Sequence, residues 1–254
     1  MIQTERPYVL SIAGLDPSAG AGILADVKVF ELNQVYGLSV CTALTMQHDA
    51  DFRALEWIPL PTILDQCQPL FERYPIEIVK IGLIESFAVL DQLTGWLLQQ
   101  NPGIQIIWDP ILKASAGFTF HAESPYVAFE SVLRRLRILT PNAWEAQQLT
   151  GIDSPLEAAK VLSQYCLVYL KGGHVEPVEE TVTDYFLREG EVLAAYPAPH
   201  LPQGEKHGSG CVLSSALAAG LAKGQSISET GRSTRQYMNR YLASTPYLLG
   251  FHTL

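Results

Sequence analysis

An α/β fold with a mostly parallel sheet is what this sequence predicts, and three observations carry it. From residue 8 to residue 171, short apolar runs of strand length alternate with segments of helical period, the pattern of successive βαβ units. The runs are continuously apolar, as strands covered on both faces are. Near Thr181 the alternation gives way to two strand-like runs around Arg188-Glu189-Gly190, an antiparallel hairpin at one edge of the sheet. The expected architecture is three layers, helices on both faces of a central sheet, in one domain over residues 1–254.

Residues 8–13 form the first strand and run into a loop with glycines at 14, 20 and 22. The helix after it carries Ile23, Val27 and Phe30 on one face. A strand over 38–46 ends in the polar Gln47-His48-Asp49, and a helix over 61–73 tolerates Pro61 in its first turn. Strand 77–82 precedes a helix over 87–100 that Asn101-Pro102-Gly103 closes, and strand 104–110 stops at Pro110. Strand 136–140 leads through Pro141-Asn142 to a helix ending at Leu149. Ser154 and Pro155 suit the N-cap and first position of the next helix. Strand 166–171 is closed by Gly172-Gly173. After the hairpin (181–187 and 191–196), Pro197, Pro199 and Pro202 lead to two final helices, 209–223 and 226–244, with Gly224 at C′ between them.

Composition narrows the function classes. With 17 basic against 26 acidic residues the net charge is −9, which disfavours a broad nucleic-acid footprint. Local backbone dipoles still allow a small anion to bind. The cysteines, Cys41, Cys67, Cys166 and Cys211, stand far apart without a C-x-x-C pair, so a reducing compartment is expected rather than a zinc site or disulfide framework. No basic-then-apolar leader opens the chain, and no apolar run reaches membrane-span length. A cytoplasmic protein, free of nucleic acid and membrane, is the expectation.

The polar and glycine-rich segments fall at the predicted carboxyl ends of the strands, where parallel sheets bind ligands. The stretch His207-Gly208-Ser209-Gly210-Cys211 opens onto a helix rich in small residues. Unpaired N–H groups and the positive dipole end there suit an anion, and the same field would stabilise a Cys211 thiolate. A small-residue turn before a buried helix reads the same way. The first loop matches neither G-x-G-x-x-G nor the P-loop pattern, which argues against a nicotinamide enzyme. For Asp26, a lone helical carboxylate, burial statistics favour solvent over the pocket mouth. Lys171 suits an ammonium reaching a phosphate, and equally a strand-end lysine with its head in water. Asn142 with Glu145 fits either a helix-capping box or indirect support of hydrated magnesium. Asp109 before Pro110 is a ligand or a turn former.

Taken in order, these pieces resemble the hydroxymethylpyrimidine and phosphomethylpyrimidine kinases of thiamine synthesis, in the ribokinase-like superfamily. The resemblance runs through Ile12-Ala13-Gly14 with Asp16, Gly20-Ala21-Gly22-Ile23 with Asp26, Thr42-Ala43-Leu44-Thr45 with Gln47, and Lys80-Ile81-Gly82. It continues through Asp109-Pro110, Thr140-Pro141-Asn142 with Glu145, Lys171-Gly172-Gly173-His174 and the 207–211 stretch.

That resemblance implies ATP and Mg²⁺ as cofactors, a homodimer, and a pyrimidine pocket from Ala13, Gly14, Asp26, Gln47, Lys80, Gly82 and Leu83. Asp26 and Gln47 would bond the ring edge. Asn142, Lys171, Gly208 and Gly210 would bind ATP phosphates, with Asp109 and Glu145 holding magnesium through water. Gly208, Ser209, Gly210, Cys211 and Lys171 would serve catalysis, Cys211 accepting the substrate hydroxyl proton. On that reading Cys211→Ala slows transfer to the alcohol more than to the phosphomonoester. Leu83 stands where the family has methionine, and Arg235 near a family lysine. The alternatives are a pyridoxal or pyridoxine kinase of the same superfamily, or a non-catalytic pyrimidine-binding protein.

Overall fold

The computed structural model describes residues 6–113, 129–172, 180–201 and 204–253. The amino-terminal stretch 1–5, Ala114 to Gly117, Gly173, His174 and Pro202 lie outside these described residues. In chain order the elements are β1 (Tyr8–Leu15), α1 (Gly22–Leu32), β2 (Tyr36–His48), β3 (Asp51–Trp57), α2 (Leu60–Arg73), β4 (Ile78–Ile81), α3 (Phe87–Gln100) and β5 (Gln105–Trp108). Then follow α4 (Phe129–Leu133), β6 (Ile138–Leu139), α5 (Ala143–Thr150), α6 (Pro155–Leu162), β7 (Leu167–Leu170), β8 (Thr181–Arg188), β9 (Glu191–Pro199), α7 (Ser209–Ala222) and α8 (Ile227–Ala243).

The strands form one nine-stranded sheet in the order β3-β2-β1-β4-β5-β6-β7-β8-β9. From β2 to β7 every neighbouring pair is parallel, while β3 pairs antiparallel with β2 at one edge and β8 pairs antiparallel with β7 and β9 at the other. The β8–β9 hairpin was expected; the β2–β3 hairpin was not. Sequence gives little sign of β3, because Asp51, Arg53 and Glu56 interrupt its apolar residues and none of the strand is fully buried. Charges of this kind suit an edge strand, where they discourage pairing with another chain.

Local chemistry sets the helix ends. Ser86 caps α3 and Ser154 caps α6, each through its side chain, while Asn142 and Ser226 open α5 and α8 with complete capping boxes. Gly224, at φ +74°, turns the chain between α7 and α8.

Strand alternation sorts the core into two layers. Leu10, Ile12, Val79, Ile81, Ile106, Trp108, Val168 and Leu170 point to the face covered by α2 to α6. Val9, Ile78, Ile107, Leu167 and Tyr169 point to the face covered by α1, α7 and α8. By the same period of two, Ser11, Lys80, Asp109 and Lys171 fall on the α7 side, and all of them are buried. The sheet thus carries a file of polar groups under one helix.

Candidate active site

Strand order reverses at β1, with β2 on one side and β4 on the other. The crevice beyond the carboxyl ends of such strands is where open parallel sheets hold ligands. Gly14 and Gly82 lie there. A Cβ on Gly14 would be 3.2 Å from Leu83 Cδ2, and one on Gly82 would be 2.9 Å from Ala13 Cβ and 3.0 Å from Lys80 Nζ. Ala13, Gly14, Gly82 and Leu83 are therefore brought together, as the sequence led us to expect. Strand β2 fixes both loops: Thr42 Oγ1 donates to Leu83 O at 2.6 Å and Thr45 Oγ1 to Leu15 O at 2.8 Å. Gln47 Nε2 in turn donates to Thr45 Oγ1 at 2.9 Å, which ties its amide to the end of β1.

Asp26 departs from expectation twice. It is 0% exposed, so it is not a solvated helical carboxylate. Its oxygens are also occupied: Lys80 Nζ donates at 2.8 and 3.0 Å, Ser11 Oγ at 2.5 Å and Ser215 Oγ at 2.8 Å. Asp26 and Lys80 form an ion pair beneath the pocket and present no free edge to a ring. The resemblance supplied the residues and misplaced their task, since an isolated Asp gives no hint of a partner fifty-four positions away.

The donor turn is built by close approach. Gly208 has φ +72°, and a Cβ there would lie 2.1 Å from Gly20 O. Gly22, at φ +60°, would bring a Cβ within 2.1 Å of Gly14 O. Only glycine fits either place. Within the turn, Ser209 N–H donates to Lys206 O at 3.2 Å, and Val212 N–H makes the first bond of α7 to Gly208 O at 3.0 Å. The N–H groups of Gly210 and Cys211 lie between these and open toward the crevice end of the helix. Ser209, expected as a donor, closes the turn instead.

Cys211 also needs correction. Burial pushes its thiol up to about 11, outweighing the Lys80 ammonium and the N–H of Gly22 beside it. Cys211 is a thiol at neutral pH, because desolvation exceeds the helix field that was expected to lower it. Cys211 therefore lacks the thiolate base that the expected acceptor-selective effect of Cys211→Ala required.

Next to Gly210 lies a charged cluster. A Cβ on Gly210 would be 3.3 Å from Lys171 Nζ and 3.5 Å from Asp109 Oδ2. Lys171 Nζ sits 2.9 Å from Asp109 Oδ1 and 3.4 Å from Glu145 Oε2, so its head is not in open solvent. Against the cost of burial, Lys171 and Lys80 hold Asp109 below the usual carboxylate range. Burial pushes Glu145 up to about 7, and the Asp109 charge adds to that while Lys171 opposes it. Asn142 and Glu145 complete a capping box: Glu145 N–H donates to Asn142 Oδ1 at 2.8 Å, and Asn142 N–H to Glu145 Oε2 at 2.7 Å. Capping is thus one task of this pair, and the Asn142 amide nitrogen takes no part in the box.

Sequence reasoning missed two supports. Asp184 Oδ1 accepts the Gly172 N–H at 2.7 Å and fixes the corner after Lys171. Its other oxygen accepts Tyr169 Oη at 2.9 Å and Arg235 Nη1 at 3.0 Å. Arg235 Nε and Nη2 also donate to Asn239 Oδ1, at 2.8 and 2.7 Å, so Arg235 joins β8 to α8. A signal was available: Asp184 shares the buried parity of β8 with Val182 and Phe186, an unusual place for a lone charge.

The chain is similar to known proteins over nearly its whole length. The family model described as phosphomethylpyrimidine kinase matches residues 16–252. A hydroxymethylpyrimidine/phosphomethylpyrimidine kinase of Rhizobium meliloti is 32% identical over 94% of this chain and 91% of its own length. The crystal structure of a phosphomethylpyrimidine kinase from Clostridium difficile 630 is 28% identical, with a TM-score of 0.74 over 92% of this chain and 99% of that one. A pyridoxal kinase of Staphylococcus aureus in complex with ADP has a TM-score of 0.80 over 94% of this chain and 89% of its own, at 23% identity. That likeness is one of fold.

Proposed function

The chain belongs to the phosphomethylpyrimidine kinase family, and from that premise we propose that it transfers the γ-phosphoryl group of ATP to 4-amino-5-hydroxymethyl-2-methylpyrimidine and then to the monophosphate. The observation that carries the reading is the meeting of two half-sites. Ala13, Gly14, Gly82 and Leu83 pack together at the carboxyl ends of β1 and β4 as an apolar floor suited to a flat ring, and α7 carries the Lys171–Asp109 pair under its first turn.

Phosphoryl transfer is chiefly positioning and charge stabilisation, and the residues divide accordingly. The N–H groups of Gly210 and Cys211, with the α7 dipole, face charge building on the transferred group. Lys171 reaches the phosphates by exchanging part of its bond to Asp109. Gln47 and the backbone of the Lys80–Leu83 segment orient the ring, while Asp26 and Lys80 hold the floor beneath it. The thiol of Cys211 packs at the junction and positions the acceptor. No group of three or more His, Cys, Asp or Glu side chains converges among the described residues, and Lys171 already bridges Asp109 and Glu145. The donor set therefore fits Mg²⁺ as a hydrated ion held through water, where it would neutralise phosphate charge. No helix among the described residues is long and apolar enough to cross a membrane.

The test is ADP release with ATP and Mg²⁺, offering hydroxymethylpyrimidine, its monophosphate and pyridoxal separately. Turnover of the two pyrimidines well above pyridoxal is expected. Preference for pyridoxal, or pyrimidine binding without turnover, would overturn the assignment.

A further inference from the structure

We propose that His207 is a positioning residue for phosphoryl transfer. Its ring latches the donor turn to the glycine loop, and its backbone latches the same turn to the carboxyl-terminal segment. This inference rests on the kinase reading above.

His207 Nε2 lies 2.8 Å from Asp16 Oδ2, with the two side chains 5% and 1% exposed. Asp16 also accepts the N–H groups of Ser18 and Ala21, each at 2.9 Å, and the Ser18 hydroxyl at 2.8 Å. One carboxylate therefore both shapes the glycine loop and holds the ring. Packing reinforces the bond, since a Cβ on Gly20 would lie 2.7 Å from His207 Cδ2. The other ring nitrogen, Nδ1, is buried without a hydrogen-bond partner among the described residues. Leaving a buried polar atom unpaired is costly, so the ring is held where it is by the Asp16 side.

His207 N–H donates to Leu248 O at 2.9 Å, and Lys206 Nζ donates to Thr245 O at 3.0 Å. Leu249 Cδ2 would lie 2.7 Å from a Cβ on Gly20, so the same segment also touches the glycine loop. Beyond it, His252 stacks on Tyr241 of α8 with ring centroids 4.9 Å apart and meets Tyr237 Oη at 2.7 Å. Residues 245–252 thus run as a strap from α8 across both loops, and His207 is where loop, turn and strap meet.

Placement of this turn matters because its donors are backbone groups. No rotamer change can re-aim the Gly210 and Cys211 N–H groups; they go where the turn goes. A misplacement of about 1 Å can cost about a hundredfold in rate.

Steady-state kinetics on three variants test the latch. His207→Leu keeps bulk and removes the bond to Asp16, whereas His207→Gln returns an N–H donor at similar reach. Leu249→Ala loosens the strap at a half-buried position. His207→Leu should lose about a hundredfold in kcat, with KM for the pyrimidine within about twofold of wild type. His207→Gln should regain most of that loss, and Leu249→Ala should lose about threefold in kcat alone. Wild-type kcat in His207→Leu, equal losses in the Leu and Gln variants, or a loss confined to KM would each overturn the latch. Should His207→Leu fail to fold, Leu249→Ala decides, and wild-type kcat there overturns it. A wild-type chain without pyrimidine turnover instead brings down the kinase reading, which is visible before any variant is made.

Discussion

Glu145 shows how one buried carboxyl can tune this site. Burial raises its folded-state value from 4.5 to about 7, so between those values the folded protein holds a proton that the unfolded chain has released. Stability attributable to this group is full below the unfolded value and falls as pH rises through the folded one, the reverse of the usual carboxylate. Glu145→Gln mimics the protonated form and keeps the capping box, which accepts either residue. The variant should match wild type in urea unfolding at pH 4 and exceed it at pH 8 by about 1–3 kcal/mol. A variant less stable than wild type at pH 8 would show that the Lys171 contact outweighs burial. At this scale the sequence named Lys171, Asp109 and Glu145 as ligand-facing groups, and it was silent on their pairing to one another. Pairing depends on which strands are neighbours, and β5, β6 and β7 become adjacent only in the fold.

At the scale of elements, the start of α7 is where conformational demand and chemistry coincide. Glycines 208 and 210 look alike in sequence but do different work. Gly208 is required by its left-handed backbone and its approach to Gly20 O, while Gly210 lies in helical backbone with Lys171 Nζ and Asp109 Oδ2 facing its missing side chain. Gly210→Ala should gain up to about 1 kcal/mol of helix propensity and lose a similar amount by pressing on Lys171. Net stability should stay within about 1 kcal/mol of wild type. The methyl group would occupy the space of the transferred phosphoryl group, and kcat/KM should fall at least about a hundredfold. Thermal unfolding and ADP release on the one variant separate these two effects. Near-wild-type turnover would place the phosphoryl group elsewhere. Helix α7 was legible from its small residues, and its glycine-led turn from composition. The closing role of Ser209 was not, because it depends on the Lys206 carbonyl that the turn happens to present.

Across the whole molecule the sheet has an apolar side and a mixed one. Its α7 face carries Ser11 on β1, Lys80 on β4, and Asp109 and Lys171 just past the ends of β5 and β7, and α1 and α7 answer with Asp26, Ser214 and Ser215. The strand–helix alternation made the layers legible, since continuous apolar runs demand cover on both faces. This seam was not legible, because its bonded partners lie up to 189 positions apart, as with Ser215 and Asp26, and no local pattern links them. The Lys80–Asp26 pair is its most buried part, with both side chains 0% exposed. Removing one partner of such a pair leaves a charge without compensation, whereas replacing both can be nearly neutral. Lys80→Met should therefore cost about 3–5 kcal/mol in urea unfolding. Lys80→Met with Asp26→Asn should recover at least half of that, because an amide at position 26 can still bond Ser11 and Ser215. The seam lies between sheet and helix, so the single variant should also loosen α7 first, and hydrogen exchange should quicken in residues 212–222 ahead of α2 to α6. A single variant costing under about 1 kcal/mol, or uniform exchange on both faces, would mean that apolar packing alone holds α7 to the sheet.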